Sequence, residues 1–476
     1  MAMGRRRKRV RQEGLWTPTA ALPVSASHPF YQRLNQILDE RKFDEYVEEI
    51  CEQFYADEVG RPGLSPGIYF RLLMVGYFEG IDSERGIAWR ASDSLSIRSF
   101  VRIALDEGVP DHSTISRTRR LMDVETHQAV FQWVLQVLAE KKLLKGTTIG
   151  VDATTLEANA ALRSIVRRDT GERYEEFLTR LAKESGIETP TREQIAKLDR
   201  KRRKKGNNKD WKHPHDPDAR ITKMKDGRTH LAHKAEHAVD METGAIVAVT
   251  LHGADEGDTQ TIQETVAEAG ERITSIVADS DNGEAVKHVS VEGPREVVTD
   301  KGYHSRAVVS KLTQWGVRTY CSEPHRGRQK WQDLRTEQAA VYANRRRIRG
   351  ERGRRLLRQR GEKLERSFAH LYETGGMRRV HLRRHPNILK RLLVHVAAFN
   401  LGLVMRRLLG RGTPRGLQGW RLDLLLALLR LLSEVWARKM ASEEPDNRFE
   451  PNLGPSESSN HTFLAIAKKA VSATGC

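Results

Sequence analysis

The 476-residue sequence carries 81 Lys and Arg against 63 Asp and Glu, a net charge of +18 with a pI near 9.8. That length allows two or three domains and a sizeable core, and the basic excess favours a polyanionic partner through counterion release over a merely soluble basic surface. Cys51, Cys321 and Cys476 are too widely spaced for a CxxC motif, a zinc ligand set or a disulfide framework, which excludes a stapled secreted scaffold and suits a reducing cytosol.

Residues 1–25 read as a disordered basic arm, and Glu13 and Pro18 stand where a secretory signal would need an apolar run. Residues 26–144 are expected to form a helical DNA-binding or dimerisation domain. Phe43, Val47, Ile50 and Phe54 recur at helical spacing, Tyr69 to Phe78 is an apolar helix after Pro66, and Ser96 to Ala104 is another. Asp111 or Ser113 caps a basic helix through Arg117. These short helices suit a helix-turn-helix-like unit or a plain packing domain.

The pattern changes at Lys145. Thr147 to Asp152 reads as a short strand ending at an acid, and 155–185 as charged helix. Lys197 to His213 reads as an exposed or disordered basic insertion, within a basic region near 197–220. Thr229 to Asp240 and Ala245 to Thr250 form a hairpin around a Thr243-Gly244 turn. Asp258 caps a helix to Ala269, Glu296 to Asp300 is a buried strand ending at a second acid, Ser305 to Gln314 is a helix, and Val317 to Cys321 is a strand. A second basic insertion spans 323–360, with an arginine-dense helical run from Asn344 to Arg360 and a helix bearing Glu365 behind it. Leu389 to Leu409 and Leu424 to Trp436 read as further helices, the latter within C-terminal helices at 411–440, and 441–476 as a flexible tail. Leu424 to Leu432, interrupted by Arg430, is too short to cross a bilayer. The expected product is a cytoplasmic, nucleoid-associated protein without a membrane contact.

The predicted fold class is α/β: a ribonuclease-H-like mixed sheet flanked by helices over 145–410, preceded by an all-α domain. Asp152 and Asp300 follow apolar runs, so both would lie at carboxyl ends of strands, where open α/β sheets bind ligands. Leu364 and Phe368 are four apart and pack inward, which leaves Glu365 one step round the helix. Three converging carboxylates are the hard oxygen donors that Mg²⁺ prefers, and two such ions can activate the nucleophile and the leaving oxygen of a phosphodiester. Taken singly, each Asp also fits a turn or cap, and Glu365 also fits a surface ion pair.

Beyond these readings, the segments resemble the DDE-class transposases of bacterial insertion sequences. The resemblance rests on Val151-Asp152-Ala153-Thr154, on His233 to Asp240 with Thr243-Gly244-Ala245-Ile246, on Gly253 to Asp258, on Asp300-Lys301-Gly302-Tyr303 and on Glu365-Arg366-Ser367-Phe368. It extends to Arg61-Pro62, Arg98-Ser99-Phe100 and Asp111-His112-Ser113-Thr114, and covers roughly 30–410. It implies metal-dependent DNA strand cleavage at element ends and strand transfer into target DNA. Asp152, Asp300 and Glu365 would be the catalytic metal ligands for two Mg²⁺, with Mn²⁺ able to substitute. It also implies double-stranded DNA as partner and a homo-oligomer on DNA. The alternatives are a metal-dependent nuclease that does not join, or an inactive DNA-binding derivative. Gly361 stands four before Glu365 and Tyr372 seven after it, which departs from the signature of some relatives and leaves Glu362 as a competitor for the third acid.

Arg345, Arg346, Arg347, Arg349, Arg358, Arg360, Arg366, Lys234 and Lys301 are the expected nucleic-acid contacts. Trp211 and Trp331 are candidates for base stacking, against ordinary packing. The His233-Lys234-Ala235-Glu236-His237 run fits a zinc-peptidase pattern only on a helix, and its strand context argues against zinc.

Overall fold

The computed structural model describes residues 28–56, 63–202, 206–224, 227–279, 283–325, 327 and 329–417. The expected basic arm, the helix at 424–436 and the tail from 441 lie outside the described residues. So does the second of the two units into which the chain divides, which begins at Gly419.

Among the described residues, seven α-helices come first: α1 Pro29–Glu40, α2 Phe43–Cys51, α3 Pro66–Glu79, α4 Glu84–Asp93, α5 Leu95–Val101, α6 His112–Leu121 and α7 Val124–Glu140. Their starts follow capping chemistry. Ser83, Ser94, Asp111 and Asp123 each accept a backbone N–H of the first turn. α3 is apolar and buried nearly all round, and Arg71 in its middle is satisfied by Asp44, Asn35 and the Phe100 carbonyl.

The mixed part follows as β1 Thr148–Glu157, β2 Val166–Arg167, α8 Tyr174–Glu184, α9 Arg192–Lys201, β3 Trp211–Lys212, β4 Arg220–Lys223, β5 Thr229–Asp240, β6 Ile246–Gly253, α10 Asp258–Ala278, α11 Gly283–Val286, β7 Glu296–Thr299, α12 Arg306–Gln314, β8 Arg318–Cys321, α13 Arg335–Arg349, α14 Glu351–Phe368 and α15 His385–Leu409. The sheet runs β6–β5–β1–β7–β8, with β4 sharing β5's outer edge. β5 is antiparallel to β1 and β6, while β7 and β8 run parallel to β1. The expected order of strands and helices is therefore present, with β2, α8, α9, β3 and β4 inserted between β1 and β5.

Three expectations change. Asp152 does not end its strand: β1 continues to Glu157, because Thr154 and Leu156 keep the inward alternation against β5. Residues 158–173 hold no α-helix, only the single 3-10 turn Leu162–Ser164 and β2, and the charged helix begins only at Tyr174. The 197–213 stretch is not a bare loop where it is described. α9 starts on a Thr191–Gln194 capping box, and β3 pairs with β2.

One hydrophobic core runs from the opening helices into the sheet and α15. α15 is long and apolar enough to cross a membrane by length and composition, yet it is buried through most of its length. Side-chain amides close two backbone positions on the edge strands β6 and β8. Asn400 of α15 bonds both backbone groups of Ile246, and Asn344 of α13 bonds both of Cys321, as a neighbouring strand would.

Candidate active site

Strand alternation sorts the candidates onto two faces. Asp152 stands opposite His237 in the β1–β5 register, so both share one face with Gly150. α14 covers this face. A Cβ on Gly150 would come within 2.6 Å of Leu364 Cδ1 and of Met241 Sδ, so glycine is what lets the helix approach. Farther along, His237 packs against Phe368 and hydrogen-bonds the Tyr372 hydroxyl.

β7 pairs with β1 only as far as Gly150–Val298. Both chains continue two residues to an acid, Asp152 and Asp300. Asp300 caps a short turn, accepting the Gly302 N–H at 2.7 Å, and lies close enough for its charge to push the Asp152 carboxyl upward. Among the described residues, nothing pairs with β1 on β7's side until Glu157 meets Arg379. The acids therefore sit at a gap in the sheet.

Asp152 is held by the Ala153 N–H at 2.9 Å and by Arg360 Nη1, which donates to Oδ2 at 2.8 Å. Burial is the main force raising its pKa, Asp300 adds to it, and Arg360 opposes both. Arg360 thus sits beside a carboxylate where two negative groups meet.

Helix geometry separates the two candidates for the third acid. Successive residues turn about 100°, so with Leu364 down on Gly150, Glu362 lies about 160° away and points off the sheet. Glu362 is exposed and pairs with Arg366. Lys363 and Glu365 occupy opposite flanks. Lys363 donates to the Glu242 carbonyl, near the start of β1, so Glu365 lies on the flank toward the carboxyl end of β1. Glu365 is exposed. Among the described residues, no group of three or more His, Cys, Asp or Glu could hold a metal ion as it stands.

The opposite face holds a second acidic group that sequence reasoning missed. Glu236 is fully buried and accepts from Thr261, Thr265 and Tyr303. Burial pushes its pKa up, and the three hydroxyls and Lys234 pull against that. Asp258 was expected only to cap α10, but Gly257 takes that place. A Cβ on Gly302 would lie 2.6 Å from Asp258 Oδ2 and 3.0 Å from Asp300 Oδ1, so Asp258 borders the site. The spacing of Asp258 from Gly253 was visible in the sequence, but its link to Gly302 was not.

Several expected nucleic-acid contacts are engaged elsewhere. Lys234 is buried on the α10 face, paired with Asp258 at 2.7 Å and bonded to Thr261, so it is not a surface contact. Arg347 donates to the Thr319 carbonyl, and Arg345 makes a two-pronged pair with Glu323. Arg346, Arg349, Arg358, Arg366 and Lys301 remain exposed. Trp211 is buried against Tyr174 and Phe177, so it cannot stack on a base, and Trp331 packs under Arg306 and beside Tyr342. The zinc-like histidines lie on a strand. His233 bonds Asp216 and His385, while His237 bonds Tyr372.

Residues 21–121 match the family model described as "Transposase domain (DUF772)". That match supports a transposase. No curated protein matches the chain significantly. The matched segment covers α1 to α6 and not α7 or the acids of β1, β7 and α14.

Proposed function

We propose that the protein is a DDE transposase, which cleaves DNA strands at the ends of an insertion element and joins them to target DNA. The observation that carries the reading is the placement of Asp152 and Asp300 each two residues beyond the last β1–β7 pair, close enough for the charge of one to act on the other. The strand order β6–β5–β1–β7–β8, with β5 antiparallel, agrees with the ribonuclease-H-like expectation. The transposase-domain match ahead of it supports the same class.

The donor chemistry fits a hard divalent cation. Asp152 and Asp300 would serve as oxygen ligands whose mutual repulsion a cation would relieve, and Glu365, on the flank that helix geometry gives it, would complete the set once drawn in. When bound, Mg²⁺ would supply Lewis-acid activation of the attacking oxygen and stabilise the leaving oxygen. The chain's own residues do the rest. Arg360 meets negative charge at Asp152 and passes to a DNA phosphate when that charge is balanced otherwise. Exposed Arg346, Arg349, Arg358 and Lys301 hold the backbone by charge. Leu364 on Gly150 fixes the register of α14 over the acids.

Attack by water and then by a DNA 3′-hydroxyl needs no covalent link to the protein. The test is strand transfer from pre-cut element ends in Mg²⁺. Joined product supports the proposal. Cleavage without joining would mark a nuclease, and DNA binding without either would mark an inactive derivative.

A further inference from the structure

The inserted elements build a second feature beyond the acids. A cleft of about 810 Å³ opens past the end of β1, and its charged walls are Arg163, Arg173, Arg379 and Arg383 against Glu157 and Glu175. Four guanidiniums thus face two carboxylates. The walls come from four stretches of chain: the exit of β1, the insertion, the start of β5, and residues 379–383. Backbone and side-chain hydrogen bonds tie the exit of β1 to residues 379–383. Val380 N donates to Glu157 O at 2.8 Å, Asn159 Nδ2 to His381 O at 2.9 Å, and Arg383 Nε to Asn159 O at 3.2 Å.

The guanidiniums are not all spent on one another's counterions. Arg379 has only a long 3.8 Å contact with Glu157 and is 59% exposed, so water screens that pair. An apolar ligand is a poor fit for such walls. A phosphodiester chain suits planar, permanently charged donors in a polar cleft.

Position supplies the second argument. Glu157 is five residues along β1 from Asp152, which at strand rise is about 17 Å, or about five nucleotide steps of duplex at 3.4 Å per strand step. Glu365 lies on the helix flank facing the same end of β1. Arg378, next to the cleft, reaches Thr154 on the Asp152 face at 3.4 Å. Glu157, an odd number of steps from Asp152, turns to the other face of the sheet, so the cleft lies at the end of β1 and is joined to the Asp152 face through Arg378.

We infer that this cleft is a DNA-backbone site, which holds the strand flanking the scissile phosphate through Arg163 and Arg379, with Arg383 bracing its wall. The inference rests on the proposed DNA chemistry at Asp152 and Asp300, and it assigns to the insertion a share of substrate binding.

Fluorescence anisotropy of full-length protein with a labelled mixed-sequence duplex, titrated over a salt series, tests it. The wild type is compared with Arg163→Gln/Arg379→Gln and with each single substitution, after thermal melting of each protein. Each lost phosphate contact should reduce the salt slope of log K by about 0.9, and the pair by about 1.8. Either folded single variant gives the test if the pair does not fold. An unchanged slope in a folded variant, with wild-type binding intact, overturns the cleft and leaves the catalytic reading standing. A wild type that binds no DNA overturns both.

Discussion

Arg360 donates from Nη1 to Asp152 Oδ2 at 2.8 Å, joining the middle of α14 to β1 across a sequence separation of 208 residues. The guanidinium occupies the place where Asp152 and Asp300 would otherwise repel without compensation. α14 is therefore fixed over the acids by an ion pair at Arg360 and by apolar contact at Leu364.

This pair makes a prediction about pH. Arg360 lowers the Asp152 pKa against burial and Asp300. Arg360→Gln removes that pull, so the carboxyl protonates at higher pH. The acid limb of the cleavage rate should move upward in pH relative to wild type. A pH–rate profile measures it, and an unmoved limb would show that the pair does not control Asp152.

Gly150 tests the seating of α14. Gly150→Val places branched carbon against Leu364 and Met241, where even a Cβ would come within 2.6 Å. Overpacking of this kind costs about 1–3 kcal/mol. Urea unfolding should show that loss, together with weaker cleavage. Wild-type stability would mean that α14 stands farther from β1.

Gly302 tests the border formed by Asp258. An alanine there pushes on both Asp258 and Asp300, since its Cβ would meet them at 2.6 Å and 3.0 Å. Displacing a catalytic group by about 1 Å can cost about 100-fold in rate. Gly302→Ala should fall toward that range with DNA affinity retained, and full activity would remove Asp258 from the site's edge.

Three buried histidines predict acid sensitivity. Burial holds His127, His237 and His395 each at about 3. They stay neutral in the folded chain, whereas unfolding lets them take protons below about 6.5. The unfolded state binds more protons there, so stability is full above that pH and falls as pH drops toward 3. Three such groups give a slope of about 4 kcal/mol per pH unit well below 6.5. Denaturant midpoints between pH 7 and pH 4.5 check this, and a flat series would contradict the neutral buried forms.

Much of the sheet was legible because its signals are local. The β5–β6 hairpin announces itself by apolar runs around Thr243-Gly244, and Gly244 takes the positive φ of 83° that the turn demands. The end of β1 was misplaced although Thr154 and Leu156 carried the alternation, because the acid at Asp152 resembled a strand terminus. Period two also says that Lys234 and His237 lie on opposite faces, but only pairing with β1 tells which face carries Asp152. The arginines were harder. Whether Arg345 or Arg347 is free depends on Glu323 and on the Thr319 carbonyl, more than twenty residues away in sequence, and no local pattern encodes that. The insertion's small core around Trp211 was hidden under its charge, which dominates composition but not packing.

The account stands most directly on the identity of the acids. Mg²⁺-dependent cleavage of supercoiled plasmid carrying element ends should be compared for wild type, Asp152→Asn, Asp300→Asn, Glu365→Gln and Glu362→Gln. The account predicts loss of cleavage in the first three substitutions with DNA binding kept, and near-wild-type cleavage for Glu362→Gln. Full cleavage by Asp152→Asn or Asp300→Asn would contradict it, and loss at Glu362 with Glu365 spared would overturn the geometry assigned to α14.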